Sequence, residues 1–170
     1  WELSDMLKFA VEFEGPIAIR YPRGEAYDGL EEYRQPIEYG KAEWIYKEQD
    51  IALLAVGSMV KTAESVYAKL KEQGKNVSLL NARFVKPIDE DAVLEACEKH
   101  TLLVTLEENV ASCGYGEKVL DCLQKNGKDI SLLRIAIPDA YVEHGSVDLL
   151  KKEIGLDVAS ITEQILEKLG

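Results

Sequence analysis

Between Ile51 and Ile137 the sequence alternates short apolar runs with stretches of helical periodicity, and this alternation constrains the fold more than any other feature. Ile51–Val56, Val77–Leu80, Thr101–Leu106 and Ile130–Ile137 are near-continuous apolar runs, the pattern of strands covered on both faces. Between them Val60, Ala63, Tyr67 and Leu70 mark a helix that Gly74 caps, and Ala92, Val93, Ala96 and Cys97 mark a second that Asp89 opens and His100 closes. Val119, Leu120 and Leu123 mark a third, ending at Asn126-Gly127. Beyond Pro138, Ser146 opens a short helix to Lys152, and Ser160 with Glu163 has capping-box spacing ahead of Ile165, Leu166 and Leu169. Upstream, Pro36–Tyr46 sets Ile37, Tyr39, Ala42, Trp44 and Tyr46 against Glu38, Lys41 and Glu43, which predicts an edge strand with Glu43 on its solvated face. The fold expected is α/β: a three-layer α/β/α sandwich, mostly parallel, with an antiparallel edge strand and right-handed crossovers.

With 170 residues and 46% apolar content, one domain can bury a core and leave room for an appendage. Leu3, Met6, Leu7, Ala10 and Phe13 predict an amphipathic helix over residues 2–13, and Ile17-Ala18-Ile19 with Arg20-Tyr21 a short strand after Gly15-Pro16. One helix and one strand cannot form a sheet, so residues 1–30 read as the tail of an upstream domain plus the start of a linker. Residues 25–35 are polar and acidic, and the main domain is expected over 31–170. The chain opens at Trp1 without a methionine, as a piece of a longer protein would.

Thirty-one acidic against 20 basic residues give a formal charge of −11, which excludes a general nucleic-acid binder or a protein drawn to anionic membranes. Any anion site must be local. The three cysteines, Cys97, Cys113 and Cys122, lack CxxC spacing, so neither a disulfide framework nor a zinc site is expected, and a cytoplasmic setting fits. No apolar run approaches the roughly 18 residues that span a bilayer.

Ligands of open parallel sheets gather outside the carboxyl ends of the strands, so the strand outlets are where chemistry is sought. Arg20-Tyr21-Pro22-Arg23-Gly24 and Arg83-Phe84-Val85-Lys86-Pro87 both present guanidinium groups there, and guanidinium grips phosphate or carboxylate with two parallel prongs. For either arginine alone, a structural ion pair in so acidic a chain is the commoner outcome. Glu107-Glu108-Asn109 precedes Gly114-Tyr115-Gly116: either a carboxylate faces a site whose glycine amides meet an anion, or the acids are solvated or bind an arginine and the glycines permit close packing; the second is favoured, since no phosphate-loop fingerprint is present. His144 is a proton carrier, a cleft contact or simply exposed, and His100 at a helix end serves the dipole. Gly57-Ser58 reads as a strand-exit turn, and no metal ligand is expected.

Taken in order, Gly15 to Gly24, Asn81 to Pro87 with Asp89, Glu107-Glu108-Asn109, and Pro138-Asp139 followed by Glu143-His144-Gly145 resemble the carboxyl-terminal part of the 1-deoxy-D-xylulose 5-phosphate synthases, within the thiamine-diphosphate-dependent, transketolase-like family. The resemblance runs over nearly the whole chain. It implies that residues 1–30 end a pyrimidine-binding domain and that 31–170 form a transketolase C-terminal-like domain. The implied reaction joins pyruvate to D-glyceraldehyde 3-phosphate with loss of carbon dioxide, on the way to isoprenoids, thiamine and pyridoxal. Two arginines of the family hold the substrate phosphate, and they match Arg20 and Arg83. Thiamine diphosphate and Mg2+ are then bound upstream of Trp1, no residue of this chain is catalytic or cofactor-binding, and the full-length protein is a cytoplasmic homodimer while the fragment alone is inactive. Cys113, where relatives usually have glycine, and Ala140, where an aromatic residue is common, depart from the pattern. Transketolase itself, a 2-oxoacid dehydrogenase beta subunit, or a non-catalytic dimerisation domain are the alternatives.

Overall fold

A computed structural model describes residues 1–22, 24 and 26–170. The elements run α1 (Glu2–Glu12), a 3-10 turn (Glu31–Tyr33), β1 (Glu43–Tyr46), β2 (Asp50–Ala55), α2 (Met59–Glu72), β3 (Val77–Asn81), α3 (Glu90–Lys99), β4 (His100–Val110), α4 (Tyr115–Lys125), β5 (Ser131–Ile137), α5 (Val147–Glu153) and α6 (Val158–Leu169). The sheet has order β1-β3-β2-β4-β5; β3, β2, β4 and β5 are parallel and β1 lies antiparallel on the edge. The chain leaves β2 towards β3 and returns past it to β4, so the topological switch point lies between β2 and β4.

Side chains alternate along each strand and feed two cores. Ile51, Leu53 and Ala55 of β2 point to one face, with Ala63, Val66 and Leu70 of α2 and Ile161 and Ile165 of α6. Ala52 and Leu54 point to the other, against Val93 and Ala96 of α3 and Val119 and Leu123 of α4. Helices thus cover both sides of the sheet, as the continuous apolar runs predict.

The helix ends are chemically explained. Asp89 caps α3 by accepting the Ala92 N–H at 3.2 Å. Gly74, at φ 74°, follows α2, where the Gly74 N–H reaches the Lys71 carbonyl at 2.9 Å and the Lys75 N–H the Leu70 carbonyl at 3.0 Å. That pair of bonds is the Schellman arrangement, and its left-handed residue suits glycine. His100 ends α3 but does more than face its dipole. Its ring is buried, with Nδ1 2.7 Å from the Ala96 carbonyl and Nε2 2.8 Å from Ser78 Oγ, which itself accepts the Glu48 N–H at 2.7 Å. Because a carbonyl only accepts, Nδ1 carries the hydrogen there.

Residues 17–19 pair with no strand among the described residues, and the partners expected for them belong to the upstream domain. Two sequence expectations need correction. Glu43 is not solvated; β1 is only four residues long, and Glu43 and Ile45 are its buried positions. Alternation cannot say which alternate set faces inward when a buried partner charge waits on one side. Finally, α6 starts three residues earlier than a Ser160 cap implies: Asp157 is the N-cap and accepts the Ala159 and Ser160 N–H groups at 3.0 and 3.3 Å. Ser160 lies inside the first turn, and its hydroxyl donates to the Asp157 carboxylate instead of capping. The acidic stretch 25–35 also hides an anchor, for Leu30 inserts into the core at 6% exposure.

Candidate functional site

Arg83 follows β3 by two residues, at the carboxyl end of the sheet where its sequence position puts it. Its backbone is left-handed at φ 51°, uncommon for a side chain with a Cβ. Asn81 supports that bend: its Oδ1 accepts the Arg83 N–H at 3.3 Å, a local turn bond of the kind asparagine favours. The same contact orients the amide, so Nδ2 faces the other way.

The Arg83 side chain is only 3% exposed, and carboxylates close on it from two sides. Nε donates to Glu2 Oε1 at 2.8 Å, and Nη2 lies 2.8 Å from Glu43 Oε2. Nη2 also reaches the Gln35 carbonyl at 3.3 Å and Nη1 the Pro36 carbonyl at 3.5 Å. Asn81 Nδ2 donates to both oxygens of Glu2, at 2.9 and 3.0 Å. Glu43 Oε1 accepts the Gln35 N–H at 2.8 Å, whereas Oε2 has no aligned hydrogen bond. Burial pushes the Glu43 carboxyl upward; the Arg83 charge and the Gln35 N–H oppose that, Glu2 adds to it, and the net direction is up.

Helix α1 is held over this cluster by few bonds. Arg34 grips Asp5 in two-pronged fashion at 2.6 and 2.7 Å, which holds the Asp5 carboxyl at about 2, and Trp1 Nε1 donates to the Gly29 carbonyl at 3.1 Å. Below, Phe9, Phe13, Tyr39 and Phe84 form an aromatic patch with neighbouring centroids 4.9 to 6.0 Å apart. An open groove of 420 Å³ runs between α1 and residues 34–37, lined by Asp5, Lys8, Phe9, Arg34, Gln35 and Pro36. The strip whose carbonyls hold Arg83 is therefore also a wall of this groove.

Arg83 thus sits in the ion pair that an acidic chain favours. Arg20 does not join it: it is exposed in the extended segment after Gly15-Pro16, and among the described residues it makes no ion pair or hydrogen bond. Arg23 lies outside the described residues. At the glycine loop the close-packing expectation holds, but the acids are neither solvated nor paired with an arginine: Glu107 is buried, and Glu108 meets a lysine. The Glu107 carboxylate itself accepts the Tyr115 and Gly116 N–H groups at 2.8 and 2.9 Å, filling the anion position at the start of α4. A Cβ on Gly116 would stand 2.6 Å from Thr105 Oγ1, and one on Gly114 2.6 Å from Glu107 Oε1. Glu108 turns instead to the switch point, where Lys151 meets it at 2.5 Å and Ser58 donates to it. Burial raises the Glu108 carboxyl, but the two donors together bring it below its ordinary value. His144 is exposed on the loop before α5.

Sequence reasoning did not find Glu2, Glu43 or the Asn81 amide as neighbours of Arg83. Glu2 and Arg83 stand 81 positions apart, and no local pattern announces a contact across that span.

Residues 40–161 match the family described as "Transketolase, C-terminal domain". The chain belongs to the transketolase C-terminal domain family. Relatives named 1-deoxy-D-xylulose-5-phosphate synthase are similar over more than this family domain. The one from Lachnoclostridium phytofermentans is 46% identical over 100% of this chain and 27% of its own length. Those from Syntrophomonas wolfei and Acidobacterium capsulatum are 42% and 35% identical over 98% and 96% of this chain, each over 26% of its own length. The chain therefore spans about a quarter of the curated relatives it matches. A solved split-gene transketolase, described as an inactive beta4 tetramer, superposes with a TM-score of 0.83 over 97% of this chain and 54% of that one, at 23% identity. A Campylobacter jejuni transketolase superposes at 0.53 over 75% of this chain and 18% of its own, at 17% identity. Both likenesses show the family fold.

Proposed function

We propose that this chain is the carboxyl-terminal part of a transferase that condenses pyruvate with D-glyceraldehyde 3-phosphate, with loss of carbon dioxide, to give 1-deoxy-D-xylulose 5-phosphate. The observation that carries the reading is similarity of 35–46% along nearly the whole chain to enzymes of that name, including residues 1–39 upstream of the family domain. Products of such an enzyme feed isoprenoid and thiamine synthesis. In this reading the enzyme is a cytoplasmic homodimer. No helix among the described residues is long and apolar enough to cross a membrane.

The chain's own residues do not fit the cofactor. Among the described residues no group of three or more His, Cys, Asp and Glu side chains is placed to hold a metal ion, and the amides that open α4 are taken by Glu107. Thiamine diphosphate and Mg2+ are assigned to the part of the enzyme outside this chain. What this chain supplies is binding and orientation. Arg20 and Arg83 are the proposed contacts to the phosphate of the aldehyde substrate, which would fix its carbonyl end relative to the reacting partner. A charge-assisted contact of this kind contributes roughly 1.5 to 3 kcal/mol.

The test is made in the full-length enzyme. Arg20→Ala removes an exposed side chain, and Arg83→Lys keeps the charge while losing the planar fork. Each is expected to raise the KM for D-glyceraldehyde 3-phosphate about tenfold or more, as loss of such a contact implies, with a much smaller change in the KM for pyruvate. Equal changes for the two substrates would refute the phosphate role.

A further inference from the structure

The Arg83 cluster holds an anion already, and that anion belongs to the protein. Two groups converge on the Glu2 carboxylate: Arg83 Nε at 2.8 Å, and Asn81 Nδ2 at 2.9 and 3.0 Å. Both donors are fixed before any ligand arrives. Asn81 is 3% exposed and locked by the bond from the Arg83 N–H to its Oδ1, and the guanidinium is braced from behind by Glu43 and two carbonyls. The two carboxylates differ in accessibility, for the Glu2 side chain is 31% exposed and that of Glu43 only 2%. Glu43 is the inner brace; Glu2 lies on the side that meets solvent.

We propose that Asn81 Nδ2 and Arg83 Nε form a preformed cradle for a phosphate or carboxylate oxygen, with Glu2 as its displaceable internal occupant. This rests on the reading of Arg83 as a phosphate contact and adds Asn81 to it as a second donor. An incoming phosphomonoester takes over the bonds now made to Glu2, and the Glu2 side chain turns outward. It has somewhere to go, because it is already 31% exposed. The exchange also settles the charge. With Glu2 in place one guanidinium faces two carboxylates, and a dianion cannot add to that set without repulsion. With Glu2 displaced, the guanidinium is opposed only by Glu43, whose carboxyl is already biased towards its neutral form by burial. The substrate dianion then takes the place of one carboxylate instead of joining two.

This predicts a direction opposite to that of a positioning role. If Glu2 merely steadied Arg83, its removal would weaken anion binding; as a competitor, its removal strengthens it. The measurement uses the full-length enzyme and inorganic phosphate as a competitive inhibitor against D-glyceraldehyde 3-phosphate. Glu2→Gln, which keeps shape and removes charge, is expected to lower both the Ki of phosphate and the KM of the aldehyde about threefold to fivefold, the range of a partly exposed ion pair. Asn81→Ala is expected to raise both. Asn81→Asp, a near-isosteric change that swaps a donor for a charge, is expected to raise them further. A Ki that rises or stays unchanged in Glu2→Gln overturns the proposal. Arg83→Lys, assayed beside it, separates the two ideas: no selective effect there removes the phosphate reading and this inference together, whereas a selective effect with an unresponsive Glu2→Gln removes only this inference. An unchanged Ki in both Asn81 variants likewise removes the cradle.

Discussion

Arg83 stands between two carboxylates that are not equivalent, and most of the site's behaviour follows from the difference. Glu43 is fully buried, so losing its counter-ion isolates a charge; Glu2 can turn to water. Arg83→Met should therefore destabilise the fold by about 3 to 5 kcal/mol at neutral pH, and Glu43→Gln by clearly less, because Arg83 keeps Glu2. Urea unfolding of the two variants checks this, and equal costs would contradict it. The pH dependence has a definite sign. The folded-state carboxyl of Glu43 is raised above its ordinary 4.5, so its contribution is complete below that value and is lost as pH rises through the raised one. Removing Arg83 takes away the largest opposing influence, so Arg83→Met should recover part of its deficit when the pH is lowered from about 7 to about 5. None of this is visible in the sequence. Arginine at a strand end announces an anion partner, but the partners' identity depends on a fold that brings residues 2, 43 and 83 together.

At the scale of elements, the strands and helices were legible wherever burial made the pattern one-sided. Ile51–Val56 and Val77–Leu80 read as strands because both faces are covered, and they are. Asp89 was legible as a cap because its bond to Ala92 is local. The failure is equally physical: Glu43 is drawn inward by a charge distant in sequence. The loop between β4 and α4 tests the packing account directly. Gly116→Ala forces a methyl to within 2.6 Å of Thr105 Oγ1 and 3.1 Å of the Arg134 stem, so it should cost about 1 to 3 kcal/mol, measured by urea midpoint. A silent substitution would mean that the loop needs glycine for some other reason. On the same face of the sheet, Glu95 ties α3 to β1. Lys99 first, then Lys47 and Trp44 Nε1, hold its carboxyl down at about 2 against desolvation. A lowered carboxyl stabilises the fold above its ordinary range and is lost as pH falls through the folded value. The cost of Glu95→Gln, about 0.5 to 1 kcal/mol for so exposed a cluster, should accordingly be present at pH 7 and disappear towards pH 2. A cost that persists in acid would assign it to packing.

For the molecule as a whole, the two cores lie on either side of the sheet and take nothing from α1, which has no buried residue. Helix α1 is attached by ion pairs, the Trp1 indole and the aromatic patch. A chain beginning at Gly29, which keeps the Leu30 anchor, is expected to unfold cooperatively in calorimetry; a broad, non-cooperative transition would show that α1 is needed for the domain to fold. Its loss would still strip Arg83 of Glu2 and Phe84 of Phe9. On that expectation residues 29–170 are a self-supporting platform, to which α1 adds Glu2 at the arginine site. The claim that this platform reads a phosphate is tested most directly by substrate choice. In the full-length enzyme, kcat/KM for D-glyceraldehyde 3-phosphate is compared with that for unphosphorylated D-glyceraldehyde, in the parent and in Arg20→Ala and Arg83→Lys. The account predicts that each substitution lowers the preference for the phosphorylated aldehyde by about tenfold or more while sparing the other substrate. A preference that stays unchanged while both rates fall together would contradict it.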